Sequence, residues 1–350
     1  MGKKIIRFFA YLLTAALFLV GVIIFVYPLL SGYMSEQNAA EYIKNFENLK
    51  ESLTENNQSD INGENHLPSS ANGEHQKPSS EKKNQTFSEI SKGYLNSETL
   101  EKLHKEMQRY NTEIYENRQE GLCDAWSYEQ SAISLSEFGL NSGAVGVLKV
   151  PKMGIEMPIF LGASRNNMSR GAAQLGQTSI PIGGNNTNCV LAGHRGWSGA
   201  RYFLDIELMQ RGDMVYIENF WETLCYQVTD IKVIYPDDIK ELLIQEDKDM
   251  VTLFTCHPYW ASTYRYAVFC ERVYGVDIPG QSSEAQMNTN SAVPEGTDNV
   301  AEGSQDADSV IEVDQTSQTR IFIERFSYVA IPVLLIALSI VLAVIRRKGK

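Results

Sequence analysis

Short apolar runs dominate the chain between Ala144 and Val273. They are rich in Val, Ile, Phe and Tyr and are separated by turn residues such as Gly183-Gly184, a pattern typical of β-strands. We predict seven strands: Val145–Val150, Met157–Leu161, Asn188–Ala192, Met214–Asn219, Leu224–Tyr235, Val251–Cys256 and Tyr264–Val273. About 130 residues of this kind suit one β-barrel or sandwich core.

A segment with the spacing of a helix precedes the strands. Over Asn96–Arg118 the apolar residues recur at intervals of three and four, the period of an amphipathic helix: Leu100, Leu103, Met107, Tyr110 and Ile114. Asn96 or Ser97 can cap the start of this helix. We also predict a short helix over Gln37–Leu53 and another, between strands, over Arg201–Met209.

Both ends of the chain carry long apolar runs that predict membrane-spanning helices. Phe8–Leu30 is long enough to cross roughly 30 Å of hydrocarbon as a helix, and Tyr328–Ile345 is the second run. Basic residues flank them on their outer sides: Lys3, Lys4, Arg7, Arg346, Arg347, Lys348 and Lys350. Because basic residues collect on the cytoplasmic side, we expect both termini inside the cell and the chain between them outside. A cleavable signal peptide is the weaker alternative, since Ser31-Gly32-Tyr33-Met34 makes a poor cleavage site.

A polar tract rich in Asn, Ser, Glu, Gly and Lys extends over Thr54–Thr86. It contains a near-duplicate, because the motif of Asn62–Ser70 recurs over Asn72–Ser80. This composition provides too little apolar surface to fold, so we predict a disordered insert that acts as a spacer. A second polar and acidic linker follows Val276.

The charge of the chain excludes nucleic acid as a partner. The net charge is −12, and the seven basic residues at the two ends contribute +7, which leaves −19 for the exterior portion. An acidic exterior of this kind does not bind phosphates.

Five cysteines, Cys123, Cys189, Cys225, Cys256 and Cys270, show no CxxC spacing, so no zinc or iron–sulfur site is indicated. Outside a cell, disulfides can use four of them and leave one free thiol. The alternative, which we favour, is that those other than Cys256 are small buried residues, because Cys189, Cys225 and Cys270 lie in strand-like runs.

Three residues carry the elements of nucleophilic catalysis. Cys256 ends one apolar strand, and Arg265 follows on the next strand of a hairpin. His194 lies in the segment Leu191-Ala192-Gly193-His194-Arg195-Gly196. A thiolate is the useful form of a cysteine nucleophile, and a cationic histidine beside it favours that form and can later donate its proton. An arginine adds several fixed hydrogen-bond donors.

The order of these motifs resembles that of the sortases, membrane-bound cysteine transpeptidases of Gram-positive bacteria. Along Asp124–Val273 the similarity is to the class C, or pilin-polymerising, sortases, and it rests on Gly146–Lys152, Pro158–Gly162, Gly193–Gly196, Thr252–Cys256, Pro258-Tyr259 and Arg265. The resemblance implies a mostly β fold: a closed eight-stranded β-barrel with short helices, an N-terminal helical and lid extension, and two transmembrane helices. It implies no cofactor and no metal.

The resemblance also implies roles for the site residues. Cys256 attacks the Thr carbonyl of an LPxTG-like sorting signal to give a thioacyl enzyme. His194 transfers protons, and Arg265 holds the substrate backbone or stabilises the oxyanion. Thr255 is expected to contact the substrate. His257, adjacent to the cysteine, is the alternative proton partner, but neighbours along a strand point to opposite faces, so we favour His194.

A lid is the other feature that the class C resemblance implies. In this class an Asp-Pro-aromatic motif covers the nucleophile while its Asp pairs with the catalytic arginine. Asp124-Ala125-Trp126 matches two of the three positions, and Ala125 lacks the φ restriction that proline would impose. An ordinary turn with a surface aspartate and a buried tryptophan is the alternative.

The acceptor amine decides the biological function. In class C sortases it is a lysine of another pilin subunit, and in housekeeping sortases it is an amine of a peptidoglycan precursor. We expect pilus assembly on LPxTG-bearing proteins at the membrane of a Gram-positive-type bacterium, with the catalytic domain outside and the lipid bilayer as a further partner. Wall anchoring is one alternative. A non-catalytic membrane-tethered surface scaffold is the alternative of another class.

The predicted organisation has six parts. They are the cytoplasmic start and first span (1–35), the juxtamembrane helix and polar insert (36–95), the helix and lid segment (96–143), the catalytic β-barrel (144–276), the acidic linker (277–322), and the second span with its basic tail (323–350).

Overall fold

The computed structural model describes residues 19, 22–23, 26–27, 30–53, 97–128, 131, 133–140, 143–196, 201–259 and 262–276. The polar insert Thr54–Thr86, the linker 277–322 and the second apolar run Tyr328–Ile345 lie outside these residues, as does most of the first run, Phe8–Leu30. Within the described part of the chain, no helix is both long enough and apolar enough to cross a membrane.

Eight strands close into a barrel in the order β1-β2-β3-β4-β7-β8-β6-β5. Neighbouring strands are antiparallel except for β2 with β3 and β4 with β7, which are parallel. The predicted mostly β, closed eight-stranded barrel is therefore confirmed. The strands are β1 Gly146–Val150, β2 Ile155–Leu161, β3 Ala172–Gln174, β4 Thr187–Ala192, β5 Met214–Asn219, β6 Thr223–Ile234, β7 Asp249–His257 and β8 Tyr264–Arg272.

Strand β3 is the strand that sequence analysis missed. Its three residues, Ala172–Gln174, are all buried, so the strand shows no alternation of apolar and polar positions. None of the three is β-branched, so the composition does not indicate a strand either. It exists because β2 and β4 pair with it on its two sides. Tertiary contacts, and not local propensity, thus define this strand.

The helix predicted over Arg201–Met209 is wrong. Only Ile206–Leu208 forms a single 3₁₀ turn. Tyr202 has a φ of 38°, which an α-helix does not accept. Phe203 and Ile206 are fully buried, and their burial in the core sets the path of this segment.

Three α-helices accompany the barrel in the described chain: α1 over residues 30–53, α2 at Ser97–Glu116 and α3 at Arg165–Met168. Helix α2 forms within the predicted Asn96–Arg118. Its buried face carries Leu103, Met107, Tyr110 and Ile114. The Asn111 side chain fixes α2 to the barrel, because it donates to the carbonyl of Ile180 (3.3 Å) and accepts from its amide (2.8 Å).

Helix α1 packs on the outside of the barrel and begins earlier than predicted. The Tyr42 ring meets Phe160 edge-on with centroids 5.2 Å apart. Near the end of the helix, Lys50 forms an ion pair with Glu218 at 2.8 Å. Aromatic and charged contacts therefore hold α1 along the domain.

The two faces of strands β4, β7 and β8 have different environments. Alternation along β7 sends Val251 and Leu253 into the large core cluster of the barrel. Met250 and Phe254 belong instead to a smaller cluster on the outer face, together with Leu122 and other residues of the segment before the barrel. This outer face, covered by that segment, contains the candidate site.

Candidate active site

The ends of strands β4, β7 and β8 bring three predicted residues to one place. Cys256 and Arg265 are directly opposite each other across the β7–β8 hairpin. His194 lies just beyond β4, which runs parallel to β7 with Ala192 beside Phe254. All three side chains are buried, with residue exposures of 9% for Cys256, 9% for His194 and 7% for Arg265.

Arg265 is held by the segment that sequence analysis predicted to be the lid. Its Nε and Nη2 donate to the two carboxylate oxygens of Asp124 at 2.7 and 2.8 Å. Its Nη1 donates to the carbonyls of Ser262 and Tyr264, both at 3.0 Å. The predicted contact between Asp124 and Arg265 is therefore present, in the bidentate geometry that suits a guanidinium best.

Trp126 covers the same group from one side. Its ring centroid lies 4.6 Å from the guanidinium carbon of Arg265, a cation–π contact. The ring also lies 6.3 Å from that of His194 and 6.2 Å from that of Phe254. Trp126 thus packs against Arg265, His194 and Phe254.

Hydrogen bonds provide the order that proline would otherwise give to this motif. Asp124 caps the 3₁₀ turn Ala125–Ser127 by accepting from the Trp126 amide at 3.3 Å. At the other end of the turn, the amide of Tyr128 donates to the Ala125 carbonyl at 3.2 Å. Ala125 itself is completely buried in the outer cluster. A small residue at this position therefore packs well and leaves the turn intact.

The electrostatics of the closed site keep the nucleophile protonated. Burial raises the pKa of Cys256, and the Asp124 carboxylate raises it further. The charges of Arg265 and Arg195 and a side-chain hydrogen bond with Ser262 act in the opposite direction but do not outweigh them. Burial and the nearby charge of Arg165 lower the pKa of His194. Thiol and imidazole are therefore both neutral at pH 7, unlike the cationic His194 expected from the sequence.

The charge of Arg265 is secured in the same arrangement. Burial acts to lower the pKa of Arg265, but hydrogen bonds to Asp124, the charge of that carboxylate and the neighbouring Cys256 raise it overall. The guanidinium is therefore a permanent cation beside the thiol.

Arg165 is a residue of the site that sequence analysis missed. It is exposed at the start of α3, and its guanidinium carbon lies 4.8 Å from the ring centroid of Tyr128, just after the lid turn. Its charge acts on His194. Ser164 before it is a recognisable helix cap, but no local pattern indicates that α3 lies against the lid.

Thr255 has a different place from the one expected. It is fully buried, and its hydroxyl donates to the carbonyl of Gly193 at 2.7 Å. The amide of Gly193 in turn donates to the carbonyl of Phe254 at 3.1 Å. These contacts join the end of β7 to the residue before His194, so Thr255 orders the site from within and does not face the substrate side.

The other cysteines are positioned as small buried residues. Cys189, Cys225 and Cys270 are buried free thiols, and Cys123 is half-buried. Burial raises the pKa of Cys189 and Cys270 far above the ordinary range. In the part of the chain that the structure covers, no group of three or more His, Cys, Asp or Glu side chains is arranged to hold a metal ion.

Gly193 leaves room for the aromatic ring that supports His194. A methyl group at Gly193 would lie 2.9 Å from a ring carbon of Phe203, whose amide donates to the His194 carbonyl at 3.1 Å. Gly193→Ala should therefore lower the free energy of unfolding by about 1–3 kcal/mol through overpacking. Denaturant unfolding measures it, with Gly143→Ala as the control, because nothing lies within 4 Å of a methyl group there. Equal midpoints for the two variants would contradict the prediction.

Several known proteins are similar in sequence to the barrel of this chain. Residues 148–273 match the family described as the Sortase domain. Sortase A of Bacillus anthracis is 28% identical over 159 residues, which cover 44% of this chain and 72% of that protein. Sortase D of Bacillus subtilis (strain 168) is 26% identical over 133 residues, 37% of this chain and 64% of that protein. The curated relatives are thus matched over part of their length.

Two solved structures are similar over nearly their whole length. The chain is 34% identical to a pilus-related sortase C of Group B Streptococcus, covering 53% of this chain and 95% of that one, with a TM-score of 0.47. It is 32% identical to sortase C2 of pilus island 1 of Group B Streptococcus, covering 51% and 99%, also with a TM-score of 0.47. The resemblance to class C sortases that the motifs indicated is confirmed by these sequence identities.

Proposed function

Because the chain belongs to the sortase family of cysteine transpeptidases, we propose that it cleaves an LPxTG-like sorting signal and transfers the acyl group to a lysine amine of a pilin subunit. The observation that carries the pilin assignment is the bidentate contact of Asp124 with Arg265, with Trp126 against the guanidinium. This contact supports the pilin assignment because the class C resemblance implies a lid whose aspartate pairs with the catalytic arginine.

The chemistry begins with the neutral pair of Cys256 and His194. As the Cys256 sulfur attacks the Thr carbonyl, its proton passes to His194. The carbon–nitrogen bond to the following residue then breaks, His194 returns the proton to the departing amine, and a thioester remains on Cys256. A lysine amine next attacks the thioester carbon, the carbon–sulfur bond breaks, and an isopeptide bond forms as the thiol regains a proton.

Arg265 has two donors in the right place for this reaction. In the closed site Nε and Nη2 bind the Asp124 carboxylate. Nη1 is held independently by the carbonyls of Ser262 and Tyr264, so the guanidinium stays oriented when the lid leaves. The two donors are then available for the substrate carbonyl or the oxyanion, with little reorganisation. Asp124 thus occupies the position that we assign to substrate oxygens.

The proposed location is the outer surface of the cell membrane, with two spans and the catalytic domain outside. The apolar ends of the chain and their basic flanks support this arrangement. Wall anchoring, with a peptidoglycan precursor amine as the acceptor, uses the same chemistry and is the alternative. A non-catalytic scaffold is less well supported, because a surface protein does not need Cys256, Arg265 and His194 gathered on one buried face.

Mass spectrometry of the full chain in detergent, with and without Asp124→Ala, tests the proposal. The protein is incubated with an LPxTG-type peptide, and then with a lysine-bearing pilin domain or a peptidoglycan-like amine. We expect a thioacyl adduct on Cys256 that passes to the pilin lysine and is absent in Cys256→Ala. Transfer only to the peptidoglycan-like amine would favour wall anchoring. The absence of any adduct, even with Asp124→Ala, would favour the scaffold.

A further inference from the structure

Behind the reactive face lies a second group of polar side chains. Each candidate catalytic residue is followed by a residue of this inner group: His194 by Arg195, Cys256 by His257 and Arg265 by Tyr266. Because successive side chains of a strand alternate between faces, the residues after Cys256 and Arg265 point away from the lid. The inner group therefore lies on the side of these strands that faces away from the lid.

Arg195 is the centre of this inner group. Its Nη1 lies 2.9 Å from Nδ1 of His257, and its Nη2 forms an ion pair with Glu207. Nδ1 of His257 also lies 3.0 Å from Glu207, and its ring lies 5.6 Å from that of Tyr266. The side chains of Arg195 and Glu207 are only 2% and 5% exposed. A charged pair this deeply buried needs good geometry to be tolerated.

Nδ1 of His257 faces both members of the ion pair, because it lies 2.9 Å from Nη1 of Arg195 and 3.0 Å from the Glu207 carboxylate. A guanidinium only donates and a carboxylate only accepts, so the tautomer of His257 decides which of the two it binds. In either tautomer Nδ1 is engaged with the ion pair, and strand alternation places the side chain on the face opposite Cys256.

We infer that Arg195, Glu207 and His257 form a buried positioning cluster that fixes the backbone directly after His194 and Cys256 and places a cation behind the thiol. The inference deepens the proposed function and rests on its assignment of Cys256 and His194. None of the three residues touches the reacting atoms. Glu207 orients Arg195, and Arg195 orients His257.

The charges around Cys256 are consistent with this role. Arg265 acts on it from β8, Asp124 from the lid, and Arg195 from the segment after β4, while Ser262 adds a hydrogen bond. The charge of Arg195 lowers the pKa of Cys256 from behind. Burial raises the pKa of Tyr266 to about 12, with Glu207 raising it further and Arg195 opposing. Tyr266 is therefore a neutral wall of the cluster.

Two variants of His257 test the positioning role in the full chain. His257→Asn keeps a side-chain amide, which can both donate and accept, near the position of Nδ1, and His257→Leu removes all polar contact there. For cleavage of an LPxTG-type peptide we expect His257→Leu to lower kcat by on the order of 10²-fold with KM unchanged, because the reacting groups are displaced. We expect His257→Asn to stay within a few-fold of the parent. Equal loss in both variants would mean that His257 moves protons, and no loss in either would mean that it positions nothing.

The pH dependence of Cys256 alkylation by iodoacetamide tests the charge, and it requires neither sorting signal nor acceptor. All variants carry Asp124→Ala so that the lid affects none of them, and peptide mapping isolates the Cys256 signal. Removing the whole ion pair in Arg195→Met/Glu207→Leu leaves no orphan charge. We expect its alkylation midpoint, the pH at which the alkylation rate of Cys256 is half its maximum, to move to higher pH. In Glu207→Gln the cation is unbalanced, and the midpoint should move to lower pH.

Unchanged midpoints in folded variants would overturn the role of Arg195. If the double variant fails to fold, Glu207→Gln decides the question alone, because it preserves the volume of the side chain. A normal alkylation profile together with no thioacyl adduct in the parent protein would instead indicate that the proposed function, and not the positioning cluster, is wrong.

Discussion

Arg265→Lys should lower the rate of sorting-peptide cleavage by on the order of 10²–10³ although the positive charge stays. Arg265 sits directly opposite Cys256, and its three nitrogens bind in three fixed directions. A lysine ammonium is a point charge on a flexible stem and does not reproduce this bidentate geometry. Single-turnover kinetics of thioacyl formation measure the effect.

The same variant should make Cys256 easier to alkylate, because the lid loses its bidentate anchor. Faster alkylation together with slower cleavage separates a catalytic role from a blocked site. Arg211→Lys is the matched control, since Arg211 is exposed and pairs with Asp230 elsewhere on the barrel. Retention of more than about a tenth of the parent cleavage rate in Arg265→Lys would contradict the oxyanion role, given the usual cost of such a donor.

Asp124→Ala should raise the rate of Cys256 alkylation at neutral pH by roughly ten- to a hundredfold. Hydrogen bonds to charged groups contribute about 1.5–3 kcal/mol, so their loss shifts the lid towards opening by about that factor. Loss of the Asp124 charge also increases the alkylation rate. Asp124 raises the pKa of Cys256, so its removal lowers that pKa and increases the thiolate fraction at a given pH. The alkylation midpoint should therefore move to lower pH.

Asp124→Asn tests the loss of the carboxylate charge with the turn intact. The amide retains the oxygen that caps the turn at Trp126 but loses the negative charge, so the midpoint should move while the turn persists. Comparable rates for parent, Asp124→Ala and Asp124→Asn would show that the segment does not restrict access to Cys256. Glu156→Ala, which removes an exposed carboxylate on β2, is the control for a general effect of charge.

The parts of the site that could be predicted from the sequence are those that local patterns encode. Cys256 and Arg265 end and begin strands of one hairpin, so their proximity follows from chain order and strand period. Residues such as Glu207 and Arg165 could not be found in this way. Glu207 lies in a single 3₁₀ turn and Arg165 begins the short helix α3, and the position of each element depends on a buried neighbour, Ile206 in one case and Met168 in the other. No period in the sequence places them near His194 or Arg195.

The strands, too, divide into those that local patterns encode and one that they do not. Long strands with apolar alternation were recognised, whereas Ala172–Gln174 required knowledge of its partners. The protonation state of the site also required the structure. His194 and Cys256 are each moved towards neutrality by burial, and burial of a given side chain depends on the covering lid segment as much as on its own strand.

The polar tract after residue 53 starts and ends at helices that both pack on the barrel. Leu53, at the end of α1, and Leu103, in α2, belong to the same core cluster. The tract therefore joins two helices that contribute to one core cluster. Helix α1 lies against the barrel at Tyr42 and Lys50, so its packing, and not the length of the tract, fixes the distance from its start to the catalytic face. Insertions or deletions in the duplicated motif can therefore accumulate without changing that distance.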